Sequence, residues 1–161
     1  MLAYVARFAT SRAKLAAYLA RKLRERGWAG DGEPPVTELV AKAAGSGFVD
    51  DAAFALGKSR SLTARGYGGR RVVQALHAAG INDADGEAAR THAREEAAEA
   101  ALRFARRRRF GPFGTSAADP RLQEKQLAAM IRAGHDLRLA KAIVRLPPGT
   151  QVDAQSLEET G

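Results

Sequence analysis

The stretches ARKLRERGW (Ala20–Trp28), VVQALHAAGI (Val72–Ile81) and LAAMIRAGH (Leu127–His135) share one layout, an apolar helical stripe that runs into a glycine. Gly27, Gly80 and Gly134 lie 53 and 54 residues apart. Each has an apolar residue four positions earlier (Leu23, Leu76, Met130), with more about a turn before that (Leu19; Val72 and Val73; Leu127). A helix closed by a glycine uses that residue's freedom to adopt a left-handed backbone without a Cβ penalty. The residues that follow, Trp28, Ile81 and His135, are expected to be half-buried as the chain reverses. Helical units that recur at fixed spacing stack on one another, because none of them buries its apolar face alone.

Composition agrees with this picture. The chain has 161 residues, 45% of them hydrophobic and only 6% aromatic, and alanine supplies much of the apolar share, which favours helix over sheet. No stretch alternates as a half-buried strand does. There is no cysteine, hence neither a disulfide framework nor a thiolate metal site, which suits a reducing cytoplasm. Neither a signal-peptide core nor an apolar run of membrane-spanning length is present.

The net charge of +8 is unevenly placed. Residues 1–31 carry seven Lys/Arg against two acids, 32–100 eight against ten, 101–146 eleven against three, and 147–161 none against three. Basic surface at both ends of an elongated helical particle attracts polyanions by counterion release, and attracts acidic protein surfaces as well.

Element boundaries follow from caps and breakers. A partial helix over Leu2–Phe8 precedes Ser11, an N-cap for Arg12–Arg26, whose Leu15, Tyr18, Leu19 and Leu23 form one face. Gly30 to Pro35 is a loop, Val36–Ala44 a short helix, and Asp50 or Asp51 caps a helix that ends near Arg65–Gly66 and packs Phe54, Ala55 and Leu62 inward. Gly68 opens a helix to Ala79, and Asp83 or Asp85 begins an alanine-rich stretch that is expected to run on to Arg109. The segment FGPFGTSAADP (Phe110–Pro120) reads as a loop, Asp119-Pro120 as cap and first residue of a helix to Ala133, and Asp136–Leu146 as the last helix. Pro147-Pro148-Gly149 stops it, and 147–161 is expected to be a disordered tail. The fold expected is all-α: three tandem three-helix repeats (1–46, 47–92 and 93–146) in an elongated, curved array.

Two stretches also carry a family resemblance. GFVDDAAFA (Gly47–Ala55) and RSLTARGYGGRRVVQALHAAGI (Arg60–Ile81) closely resemble the core of the RecX family, bacterial regulators of the RecA recombinase. YVARFATSRAKLAAYLARKLRERGW (Tyr4–Trp28) looks like that family's first repeat and Gly111–Val144 like its third, so the resemblance covers about nine-tenths of the chain. It implies an array lying in the groove of a RecA–DNA filament, in contact with recombinase and single-stranded DNA, where it would modulate and usually inhibit recombinase activity. It also implies a first helix truncated at Met1 and, in the extended glycine-proline loop of Phe110–Asp119, a departure from the family pattern.

Enzymatic motifs dissolve on inspection. Gly57-Lys58-Ser59 mimics the end of a phosphate-binding loop, but the required first glycine falls at Ala52 and no strand precedes it. Gly66-Tyr67-Gly68-Gly69 fits a tight helix–helix turn better than a phosphate cradle. Asp50 and Asp51 point about 100° apart on a helix and fit a cap better than a metal or acid–base pair. His77, His92 and His135 lack ligand spacing. A non-enzymatic protein without metal or other cofactor is the expectation, with ATP belonging to the recombinase.

The basic clusters carry the candidate site. Arg106, Arg107, Arg108 and Arg109 form a run beside Phe110, and Arg65, Arg70 and Arg71 flank the Gly66–Gly69 turn. Their plain readings are a solvated helix C-terminus and ordinary solubility; their functional reading is contact with filament phosphates. Trp28, Phe48 and Phe54 are assigned to the core rather than to base stacking. Two alternatives stand beside the recombinase regulator: a stand-alone basic helical DNA- or RNA-binding protein, and a helical adaptor that contacts protein alone. Neither predicts the match over Gly47–Ile81.

Overall fold

The computed structural model describes residues 9–159, and the partial helix expected over Leu2–Phe8 lies outside them. Among the described residues there are nine α-helices, one short 3-10 turn and no strand. They are α1 (Arg12–Arg26), α2 (Val36–Gly45), α3 (Asp51–Ala64), α4 (Gly69–Ala78), α5 (Asp83–Glu95), α6 (Ala97–Arg108), the 3-10 turn Gly111–Phe113, α7 (Pro120–Arg132), α8 (Leu137–Arg145) and α9 (Ala154–Glu159).

Side-chain caps start most of these helices. Ser11, Asp50, Asn82, Asp119 and Asp136 each accept a backbone N–H from the first turn that follows. Asp51, 5% exposed, is the first residue of α3 and also takes the Arg12 N–H at 2.8 Å, so it caps α1 from a distance. Both carboxylates of the Asp50-Asp51 pair are therefore engaged by backbone donors. Gly57-Lys58-Ser59 lies inside α3, where buried Ser59 donates to the Ala89 carbonyl at 2.8 Å and ties α3 to α5.

Buried apolar side chains gather into three clusters in chain order. Leu15, Ala43 and Val49 form the first; Ala55, Leu62, Val72, Leu76, Ala89 and Ala93 the second. The third takes Ala98, Ala101, Leu102, Phe104 and Ala105 from α6, Met130 and Ala133 around α7, Ala140, Ile143 and Val144 from α8, and Leu157 from α9. The alanines on α3, α5 and α6 let helix axes approach closely, which explains why so apolar a chain needs few aromatics.

Four expectations need correction. The stretch from Asp83 does not run unbroken to Arg109: at Glu96 (φ −86°, ψ 4°) it divides into α5 and α6. The break lets Ala89 and Ala93 face the second cluster while Ala98, Ala101 and Ala105 face the third. It also leaves 92 and 93 inside one continuous helix, so the backbone offers no division there. The segment beyond Pro148 is not wholly irregular, because α9 brings Leu157, 9% exposed, against α6. Trp28 and Phe48 are 46% and 51% exposed and are not core residues; Phe54 is only partly buried, with the Lys14 ammonium 5.1 Å from its ring centroid.

The glycines that end α1, α4 and α7 all have positive φ: 76° at Gly27, 67° at Gly80 and 93° at Gly134. Two of them also receive a neighbouring helix start. Ser11 donates through its hydroxyl to the Ala79 carbonyl at 2.5 Å, and a Cβ on Gly80 would collide with Ala13. One period later, Gly68 N–H donates to Ala133 O at 3.0 Å and Arg70 N–H to Gly134 O at 3.1 Å. There a Cβ on Gly68 would strike the Gly134 carbonyl, and one on Gly134 would come within 2.5 Å of the Arg71 nitrogen. Gly27, by contrast, has nothing within 4 Å of its Cβ position.

His135 seals the second of these joints. It is 1% exposed, its Nε2 lies 3.1 Å from the Gly66 carbonyl, and its ring lies 5.4 Å from that of Phe104. A carbonyl only accepts, so the proton sits on Nε2; Nδ1 is buried without a hydrogen-bond partner. Burial disfavours the imidazolium and lowers the pKa from 6.5 to about 4, although the Gly66 bond opposes the shift.

Two stability predictions follow from these joints. Gly134→Ala should cost more than about 2 kcal/mol, since it adds a backbone collision to left-handed strain, whereas Gly27→Ala should cost about 1 kcal/mol of strain alone. Urea unfolding checks the order, and equal costs would count against the close approach. The folded pKa of His135 lies below the unfolded one, so its contribution is complete above about pH 6.5 and is lost as pH falls towards 4. That loss amounts to roughly 3 kcal/mol. His135→Gln should remove this part of the pH dependence; an unchanged acid limb would contradict the assignment.

Candidate polyanion-binding surface

Helix α3 ends at Ala64 with Arg65 as its cap residue, and α6 ends at Arg108 with Arg109 beyond it. The last carbonyls of any helix lack intrahelical donors, and basic groups near them also complement the dipole. Helix α6 supplies such groups to α3. Arg103 donates to the Thr63 carbonyl at 3.2 Å and pairs with Glu96 at 3.3 Å; Arg107, one turn on, donates to the Arg65 carbonyl at 2.7 Å.

This contact joins Arg65 to the Arg106–Arg109 run across 42 residues of sequence. The side chains of Arg65, Arg106, Arg107, Arg108 and Arg109 are all exposed. Four guanidinium groups rest over aromatic rings: Arg65 over Tyr67 at 5.4 Å, Arg106 over Phe113 at 4.9 Å, Arg107 over Phe104 at 5.6 Å and Arg108 over Phe110 at 5.9 Å. The run does radiate, as a helical tetrad must, yet Arg106, Arg107 and Arg108 each lie over a ring of their own. A guanidinium stacked on a ring keeps outward N–H groups for a phosphate while losing part of its rotamer freedom beforehand.

Arg70 and Arg71 sit in the first turn of α4, exposed, on the other side of the Gly66–Gly69 turn. Arg70 lines a groove of about 560 Å³ between α4 and α5 together with Val73, Glu87, Arg90 and Arg94. Arg90 and Arg94 already pair with Glu87 at 3.3 Å each. The Asp136 carboxyl is held below its ordinary pKa by the Arg138 N–H first, then by those of Leu139 and Leu137, with Arg70 adding a charge contribution. Thus the structure unites Arg65 with Arg106–Arg109 and leaves Arg70 and Arg71 on a neighbouring groove.

Sequence reasoning missed Arg103, Arg90 and Arg94. Arg103 is singled out only by its reach to α3, and Arg90 and Arg94 only by sharing a groove with Arg70; neither relation leaves a local pattern. Among the described residues, no group of three or more His, Cys, Asp or Glu could hold a metal, and no helix is long and apolar enough to cross a membrane.

Arg109 is the one described non-glycine residue with positive φ, at 56°. Arg109→Gly should therefore raise stability by about 1 kcal/mol. Arg107→Ala should lower it by about 1 kcal/mol through the lost carbonyl contact, and Arg106→Ala should stay within about 0.5 kcal/mol. Urea melts of the three variants check this order; a destabilised Arg109→Gly would refute the backbone argument.

No protein-family model matches the chain. A protein of Myxococcus xanthus (strain DK1622) named "Regulatory protein RecX" is 33% identical to it over 156 residues, which cover 91% of this chain and 83% of the relative. Likeness of that extent along nearly the whole helical chain leads to one assignment. The chain belongs to the RecX family of regulatory proteins.

Proposed function

We propose that this chain binds the RecA recombinase filament assembled on single-stranded DNA and restrains recombinase activity during repair and recombination in the cytoplasm. The observation that carries the reading is the Arg107–Arg65 contact, which gathers exposed, ring-stacked arginines from two distant segments into one patch. Within a family of regulatory proteins, such a patch suits repeated phosphates better than a small substrate. Three three-helix units, stacked as an elongated and curved array, would lie along the filament groove; the helix-start contacts that recur at Gly80 and Gly134 support that stacking. Arg65, Arg70, Arg71 and Arg106 to Arg109 would meet DNA phosphates or acidic recombinase side chains. The array would bridge adjacent protomers and exclude homologous duplex. ATP is the recombinase's substrate, and the regulator needs no cofactor of its own.

The test is recombinase-driven ATP hydrolysis on single-stranded DNA, titrated with this protein and with two alanine variants, one lacking Arg65, Arg70 and Arg71 and one lacking Arg106 to Arg109. Each should suppress hydrolysis only at higher concentrations. The log–log salt slope of binding should fall by about 0.7 to 0.9 for each phosphate contact removed. Loss of filament binding without loss of weak binding to naked DNA would assign the arginines to protein contacts. A variant lacking both clusters that suppresses hydrolysis at wild-type concentrations would refute the site.

A further inference from the structure

The groove of about 560 Å³ between α4 and α5 differs from the ring-stacked arginine patch in two respects. Val73 is 39% exposed while its neighbour Val72 is buried in the second cluster, so α4 turns one apolar side chain outward, into the groove. Among the described residues, moreover, no aromatic ring lines the groove. Unpaired bases bind by stacking on such rings, and phosphates need charge but no apolar wall. A concave surface with guanidinium groups on both helices and an apolar residue beside them fits an acidic protein segment better than a nucleic acid.

Glu87 shows in the free chain how these arginines take a carboxylate. It gives one oxygen to Arg90 and the other to Arg94, each at 3.3 Å. Arg90 has a second acid partner in Asp83 at 3.5 Å and also donates to the Asp83 carbonyl, so its donors are largely occupied. Arg94 stays 71% exposed, and Arg70 takes part in no ion pair among the described residues. Three arginines against one glutamate leave the groove positive, with open donors on both of its helices.

We infer that this groove docks an acidic segment of a partner protein. An apolar side chain of that segment packs on Val73, and carboxylates on either side of it pair with Arg70 and Arg94. Identifying the partner as the recombinase rests on the filament reading above. On that reading the two basic surfaces divide the work: the groove meets protein, and the patch of Arg65 with Arg106 to Arg109 meets phosphate.

The full chain, labelled with nitrogen-15, is titrated at fixed ionic strength with a blocked pentapeptide of four acidic residues around a central leucine. The same peptide with amides in place of its acids is the control, and a short single-stranded oligothymidine is titrated separately. The backbone amides of Val73, Gln74 and Arg94 should shift saturably with the acidic peptide and not with the amide control. Arg70→Ala and Arg94→Ala should each weaken the peptide about threefold to fivefold, the range of an exposed ion pair, and should melt with wild type. Replacing the peptide's leucine by alanine should weaken it about as much. Arg106→Ala and Arg108→Ala should instead weaken the oligonucleotide and leave the peptide unchanged. Because no recombinase is present, the groove and the filament reading fail separately: the peptide titration decides the first and suppression of recombinase ATP hydrolysis the second. No saturable shift, equal peptide affinity in wild type and both groove variants, or equal affinity for the leucine and alanine peptides overturns the proposal. So does an oligonucleotide that shifts the same amides and loses affinity in Arg94→Ala, which would make the groove a nucleic-acid site.

Discussion

The close approach of the Gly66–Gly68 turn to the Gly134–His135 turn is the constraint on which the rest of the molecule depends. Backbone meets backbone there at hydrogen-bond distance, through Gly68 N–H to Ala133 O and Arg70 N–H to Gly134 O, with no room for a side chain on Gly68 or Gly134. One helix start thus satisfies carbonyls left open at the end of another helix, the residual need that helix termini always carry. His135 completes the joint by donating to Gly66 and packing on Phe104. Because Phe104 belongs to α6, the joint also fixes where α6 ends, and with it the arginines.

The arginine surface is a by-product of this packing. Arg65 leaves the turn on one side and Arg70 and Arg71 on the other, while Arg103 and Arg107 cross from α6 to the carbonyls of Thr63 and Arg65. Arg107 therefore has a structural duty, holding the Arg65 carbonyl, as well as a place in the patch. Asp51 shows the same economy at the other end of α3, where a carboxylate opens that helix and takes the Arg12 N–H of α1.

Much of the fold was legible because its signals are local. Ser11 and Asp119 cap the helices they were expected to cap, Asp50 is the cap of the Asp50-Asp51 alternatives, and Gly27, Gly80 and Gly134 end helices with positive φ. What was not legible depends on partners far along the chain. Glu96 is a good helix former, so nothing near it announces a break that exists because α5 and α6 serve different clusters. Trp28 and Phe48 looked like core by residue type, yet large apolar residues are exposed wherever no neighbour arrives to cover them. Leu157, with Val152 and Ala154, is one of few apolar side chains in an acidic tail, too little pattern to predict a packed helix. Of the candidate site, the two arginine sets were visible as runs and flanks, but the bond between Arg107 and Arg65 spans 42 residues and could come only from the fold.

The most direct measurement compares the affinity of this protein for single-stranded DNA alone with its affinity for the same DNA coated with recombinase and a slowly hydrolysed nucleotide. A regulator that touches protomers and phosphates together gains from linked contacts, so the filament should be bound at least about a hundredfold more tightly. Equal affinity for naked and coated DNA would contradict the account and leave a nucleic-acid-binding protein with no recombinase partner.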